Sequence, residues 1–222
     1  NDIQADFILN AIKISKSAGG IIALDPSPNI NLVSNSLLED TLASIHILLP
    51  NKRELQIMGG TDDISIAMEK LLVKSPCIAV KLGSKGSTML IREGFKTISG
   101  YEFTNEKKLF APAEKVAPID TTGAGDAFNA GFIYSFLKGD KPMKWLESGN
   151  QLASKVIMKK GAVSLYLDNT KIKCFINGLY VFDANSRPTS YPIFIVNAWE
   201  ASFLVSSEKY LLSKGREEGR QK

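Results

Sequence analysis

The run Asp120-Thr121-Thr122-Gly123-Ala124-Gly125-Asp126 sets two glycines and an alanine between carboxylates. A helical pattern begins at Asp126 and continues through Phe128, Phe132 and Phe136 to Lys138, where Gly139 supplies a left-handed stop. A loop of small residues feeding a helix start exposes backbone N–H groups that have no partner inside the helix. The positive end of the helix dipole lies behind them. Such a place binds anions, phosphate above all. A carboxylate inside it needs a reason, and phosphoryl transfer supplies one.

Outward from this stretch, short apolar runs alternate with one-face helical patterns. A helix is expected over 2–18, with Ile3, Phe7, Ile8, Ala11 and Ile12 on one stripe. Strands are expected at 21–24, 46–49 and 77–82, and a short helix at 37–45. Thr61-Asp62-Asp63 starts a helix carrying Ile64, Ala67, Met68, Leu71 and Leu72 on one face. The segments 87–92 and 95–99 read as a hairpin around Glu93-Gly94; 101–110 gives no clear signal. A helix starts near Pro142 and places Trp145, Leu146, Gly149, Leu152, Ala153, Val156 and Ile157 on one face. Strands that are apolar throughout belong to a mostly parallel sheet covered on both sides, an α/β fold. Ligands bind such sheets beyond the carboxyl ends of the strands, where Asp25, Asn51, Gly83 and 120–126 all fall.

The bulk figures exclude much. With 222 residues, 44% hydrophobic, 23% charged and a net charge of +4, the chain has an ordinary globular balance. Nothing in it calls for nucleic acid, and no apolar run is long enough for a membrane span. Cys77 and Cys174 lie far apart in apolar runs and read as buried thiols of a reducing, cytoplasmic setting rather than a disulfide or metal pair. His46, the only histidine, sits in an apolar strand and reads as structural. A Rossmann fingerprint fails at 123–128 because Phe128 takes the third glycine position, and neither glycine-rich turn is a P-loop.

Asp120 to Phe128, followed by Ala130-Gly131-Phe132, closely resembles the second signature of the ribokinase-like (PfkB) carbohydrate kinases. Asn51-Lys52-Arg53-Glu54 and Lys81-Leu82-Gly83-Ser84-Lys85-Gly86 resemble further family segments in family order. The resemblance implies a ribokinase-like three-layer α/β fold and ATP-dependent phosphorylation of a sugar or sugar-acid hydroxyl. It makes Asp126 the catalytic base and the backbone N–H groups of Gly123, Ala124, Gly125 and Asp126 the anion hole. It assigns Asn51 and Glu54 to Mg²⁺, partly through water. Lys81, Gly83, Lys85, Gly86 and Asn150 fall to the nucleotide, and Asp120 and Thr122 to a monovalent cation such as K⁺. Read alone, Asp126 is also a helix N-cap, Asp120 a turn aspartate, Lys81 a strand-end lysine and Asn150 part of a solvated helix face.

The resemblance runs from residue 1 to about 164, and the kinase domain is expected over 1–168. The family's first, Gly-Gly-rich signature, its opening strands and its β-lid have no counterpart here. With them go most sugar-specificity residues and the usual dimer contact, so a homodimer is an expectation for the full-length protein. Residues 169–222 read as an appendage. It carries an Asn177-Gly178 hairpin, a possible strand at 190–196, a helix at 198–214 and a disordered end. The competing reading is a truncated or fused, non-catalytic kinase fragment that binds nucleotide or acts as an interaction module. A nucleobase or vitamin kinase on the same fold is a third class.

Overall fold

A computed structural model describes residues 2–17, 20–26, 34–161, 172–175, 180–183 and 193–197. Its elements run in chain order as α1 (Asp2–Ser17), β1 (Ile21–Asp25), α2 (Asn35–Leu42), β2 (Ile47–Leu48), α3 (Lys52–Gly59), α4 (Ile64–Leu72) and β3 (Cys77–Lys81). There follow β4 (Ser87–Ile91), β5 (Lys107–Ala111), α5 (Ala124–Leu137), α6 (Pro142–Ile157), β6 (Ile172–Phe175), β7 (Tyr180–Asp183) and β8 (Ile193–Asn197).

The main sheet has the order β5-β4-β3-β2-β1-β8. The pairs from β3 to β8 are parallel, and β4 and β5 add antiparallel. Side chains alternate across this sheet and divide the core in two. Ile22, Leu24, Leu48, Ile78 and Val80 pack against Ile12, Leu42, Leu55, Met68 and Leu71 from α1 to α4. Ala23, Ile47, Cys77, Ala79 and Met89 pack against Phe128, Phe132, Phe136, Trp145 and Leu146 from α5 and α6. The result is the expected three-layer arrangement. By the same parity Asp25 and Lys81 belong to the α5 side.

α5 is apolar nearly all round, as a central helix must be. It lies so close to α6 that a Cβ at Gly131 would come within 2.3 Å of the Ser148 carbonyl oxygen. The Trp145 ring stands edge-on to Phe132 and Phe136, with centroids 5.8 and 5.0 Å apart. Such pairs add roughly 0.5–1.5 kcal/mol each beyond their buried area.

One expected pairing changes. β4 pairs with β3 across the Gly83–Gly86 turn and with β5, rather than with 95–99. Phe95 and Phe103 are both buried, and Phe95 packs against Phe103 and Phe136. The Phe103 N–H donates to the Phe95 carbonyl, so the chain after Gly94 turns back locally. β5 falls in the stretch without a clear signal because Lys107, Lys108 and Phe110 are exposed and only Ala111 is fully buried. In the C-terminal segment, the register Phe175↔Tyr180 is the one an Asn177-Gly178 turn requires. β8 joins the main sheet, parallel to β1 from Ile21↔Ile193 to Asp25↔Asn197. The turn itself, the expected helix at 198–214 and the end of the chain lie outside the described residues.

Cys77 is fully buried, which pushes its thiol far above the usual range; Cys174 lies in β6, where side chains are outside the described set. Among the described residues, no helix is long and apolar enough to cross a membrane. His46 is structural as expected. Its N–H donates to the Ile22 carbonyl at 2.8 Å, and its Nδ1 accepts the Ile22 N–H at 3.0 Å. The ring thus stands in for a backbone acceptor beside β1. That role requires an unprotonated Nδ1. Burial, assisted by the Lys16 charge, holds the imidazole below its ordinary value.

Two predictions follow from this packing. The unfolded chain takes up the His46 proton first, so folding stability is complete above the ordinary imidazole pKa of about 6.5 and falls as pH drops below it. Urea unfolding between about pH 7.5 and pH 5.5 should show a steeper loss for wild type than for His46→Asn, whose amide oxygen can accept the same N–H without titrating. Gly131→Ala should destabilise by roughly 1–3 kcal/mol on thermal unfolding, because overpacking outweighs the ~1 kcal/mol that alanine normally adds to a helix.

Candidate active site

The carboxyl ends of β1, β2 and β3, the Gly83–Gly86 turn and the start of α5 enclose one cleft of about 710 Å³. Each wall has a local cause. Asn51 caps α3 with a reciprocal capping box: its Oδ1 accepts the Glu54 N–H at 2.9 Å, and Glu54 Oε2 accepts the Asn51 N–H at 2.8 Å. Asn51 Nδ2 also donates to Glu54 Oε1 at 2.6 Å. Glu54 as a residue is 3% exposed, and burial pushes its pKa up. The Asn51 N–H and the Lys81 ammonium pull it back down, while the Asp25 charge raises it further.

Lys81 ends β3. Its Nζ lies 2.8 Å from Asp25 Oδ2 and 3.4 Å from Asn129 Oδ1. Asn129 Nδ2 donates to the same Asp25 oxygen at 2.5 Å. A Cβ on Gly125 would lie 3.7 Å from Lys81 Nζ, so the ammonium sits directly beneath the glycine-rich loop. That loop enters α5 through Gly123, whose φ of 79° is left-handed and favours glycine. Asp126 stands in the first turn, half-buried and lining the cleft. The Ala124 N–H donates to the Thr121 carbonyl at 3.2 Å.

On the opposite side, Gly86 permits a backbone crossing. A Cβ there would be 2.1 Å from the Ala111 carbonyl oxygen and 2.6 Å from the Ala113 nitrogen. Asn150, 7% exposed, fastens the same strip by donating to the Ala111 and Pro112 carbonyls at 2.9 and 3.2 Å. Val116, Pro118, Phe128 and Ile157 give this end of the cleft an apolar lining.

The sequence-predicted residues sort clearly. Asn51, Glu54, Lys81, Gly83, Gly86, Asn150, Gly125, Ala124 and Asp126 all line this cleft. Gly123 is the cap behind it, and Lys85 is exposed on the Gly83–Lys85 turn outside the lining. Asp120 and Thr122 form a tight turn at the rim: Asp120 Oδ1 accepts the Thr122 N–H and Oδ2 accepts the Gly161 N–H, both at 2.9 Å. These Thr122 and Gly161 contacts hold the carboxyl below its ordinary value. Sequence reasoning passed over Asn129. The available signal was a lone amide on an apolar helix, one turn after Asp126.

As a metal site the cleft offers little protein. Among the described residues, no group of three or more His, Cys, Asp or Glu could hold an ion. One buried carboxylate with its amide neighbour, and Asp25 close by, fits a hard divalent cation that keeps several waters and takes few protein ligands.

The pfkB family carbohydrate kinase model matches residues 4–169. A ribokinase of Arabidopsis thaliana is 34% identical over 179 residues, 77% of this chain and 43% of that protein. A ribokinase of Staphylococcus aureus is 30% identical over 72% of this chain and 49% of that protein. Among solved structures, Arabidopsis thaliana ribokinase complexed with ribose and ATP superposes with a TM-score of 0.57 at 29% identity, covering 71% of this chain and 48% of that one. The nucleoside kinase of Methanocaldococcus jannaschii, an archaeal member of the ribokinase family, gives 0.53 at 26% identity, covering 65% and 44%. The chain thus spans about half the length of the curated relatives it matches. A doubly covered sheet, a glycine-rich helix start with its aspartate, and a family match over most of the chain agree, and the protein belongs to the pfkB family of carbohydrate kinases.

Proposed function

We propose that this chain carries the phosphoryl-transfer half of an ATP-dependent kinase that phosphorylates a hydroxyl of a sugar or sugar acid. One observation carries the reading: Asp126, Lys81, Glu54 and the Gly83–Gly86 turn face a single cleft. In this reading the apolar end by Val116, Pro118 and Ile157 takes the nucleobase, and the phosphates run past Gly83 and Gly86 toward the loop at 123–126. Asp126 accepts the acceptor hydroxyl's proton as that oxygen attacks the γ-phosphorus. The bond from the γ-phosphorus to the bridging oxygen breaks, and ADP leaves with its electron pair. The amides of Gly125 and Asp126 and the ammonium of Lys81 stabilise the charge on the transferring group.

Asn51 and Glu54 would hold Mg²⁺ largely through water, and the ion's role is to neutralise phosphate charge. Asp120 and Thr122 would hold a monovalent cation such as K⁺ beside the loop. Ala124 contributes through its place in the turn more than through its N–H, which is engaged with Thr121. Ribokinases and nucleoside kinases both occur among the relatives, so pentoses and nucleosides head the acceptor panel.

The chain spans about half the length of the curated relatives it matches, and the second reading is a unit that binds nucleotide without transferring phosphate. Transfer of labelled phosphate from ATP to the panel separates the two. Turnover supports the kinase reading, and ATP binding with no transfer to any acceptor supports the second. In the active form Asp126→Asn should lower turnover by roughly 10²–10⁴-fold while leaving ATP affinity within about twofold. Turnover equal to wild type would remove Asp126 from the mechanism.

A further inference from the structure

Asn129 is 2% exposed on a helix face otherwise occupied by apolar residues. An amide buried there is costly unless both its donor and its acceptor are used. Here both are used, on groups of opposite charge: Oδ1 accepts from Lys81 Nζ and Nδ2 donates to Asp25 Oδ2. The three residues come from the end of β1, the end of β3 and the second turn of α5. They close a triangle in which the Lys81 and Asp25 side chains are only 12% and 13% exposed.

The triangle sits where an arriving phosphate must disturb it. Lys81 Nζ lies beneath Gly125 and uses two of its three N–H groups in the triangle. Drawing the ammonium toward an anion at 123–126 weakens its bond to Asp25 and leaves a buried carboxylate short of a donor. That would oppose binding strongly. An amide one turn below the loop relieves the penalty, because it keeps a donor on Asp25 and an acceptor on Lys81 while the ion pair lengthens. Leucine can do neither, an ionised aspartate cannot donate, and lysine or arginine cannot accept.

We propose that Asn129 is the positioning residue that lets Lys81 pass from Asp25 to the phosphates of a bound nucleotide. The inference rests on the kinase reading of the cleft and adds the exchange that the reading requires. Asn129 touches neither substrate nor the reacting atoms. It acts through Lys81 and Asp25.

The test is calorimetric titration of the whole chain with Mg-ATP, on wild type, Asn129→Leu, Lys81→Met and the double variant. Asn129→Leu should weaken binding about tenfold or more, the scale of a lost hydrogen bond to a charged group. The double variant should bind about as Lys81→Met does, since without the ammonium there is no exchange for Asn129 to ease. Asn129→Asp supplies an arm that does not depend on tolerance of leucine. Ionised at about pH 8, its carboxylate accepts from Lys81 but cannot donate to Asp25, so binding there should again be about tenfold or more weaker than wild type. Asp25, Lys81, Glu54 and Asp126 face the same pocket in both proteins, so the readout is the ratio to wild type at that pH.

Wild-type affinity in Asn129→Leu, losses that simply multiply in the double variant, or wild-type affinity in Asn129→Asp would each overturn the exchange and leave the kinase reading standing. Failure of wild type to bind Mg-ATP would overturn both.

Discussion

The ion pair between Lys81 and Asp25, bridged by Asn129, is the constraint on which the rest of the cleft depends. It fastens the ends of two strands in the middle of the sheet to the helix that carries the glycine-rich loop. Parity along β1 and β3 dictates it: with Ala23 and Ala79 facing α5, Asp25 and Lys81 must face α5 as well. Two charged groups brought under an apolar helix need partners. The helix supplies an amide, Asn129, that serves both.

The other walls hang on that frame. The Lys81 N–H donates to the Pro50 carbonyl, which draws Asn51 and its capping box with Glu54 against the end of β3. β3 then turns through Gly83–Lys85 into β4, and the close crossing at Gly86 lays the 111–113 strip across the cleft. Asn150 locks that strip from α6, and α6 is itself held at short range by Gly131 and Gly149. One positive charge beneath a helix N-terminus, set against a wall with two carboxylates, is an electrostatic layout suited to a phosphate chain travelling with a divalent cation.

Much of this was legible in the sequence, for physical reasons. The buried strands are apolar throughout, the helices α4 and α6 carry clean stripes, and the run from Asp120 to Phe128 lies within the stretch that the family model matches. What escaped is equally instructive. β5 has neither alternation nor an apolar run, because it lies at the sheet's edge with two lysines and a phenylalanine exposed; an edge strand's pattern is set by solvent. Phe95 looked like a strand residue following Gly94, but its burial against Phe103 and Phe136 directs the chain elsewhere. Asn129 shows in the sequence only as a lone amide on an apolar helix, because the partners that give it meaning lie about fifty and one hundred positions away. β8 pairs with β1 across most of the chain's length, a contact that no local signal encodes.

The decisive question is whether the loop at 123–126 and the turn at 83–86 receive one nucleotide together. The direct measurement is a titration of the isotopically labelled chain with Mg-ATP, followed residue by residue through its backbone amide resonances. Joint movement of the Gly83, Gly86, Gly125 and Asp126 amides, saturating at one equivalent, is the predicted result, with the surface groove around Arg53, Gln56 and Asp62 unmoved. Binding that shifts that outer groove and leaves the glycine-rich loop unchanged would contradict the account.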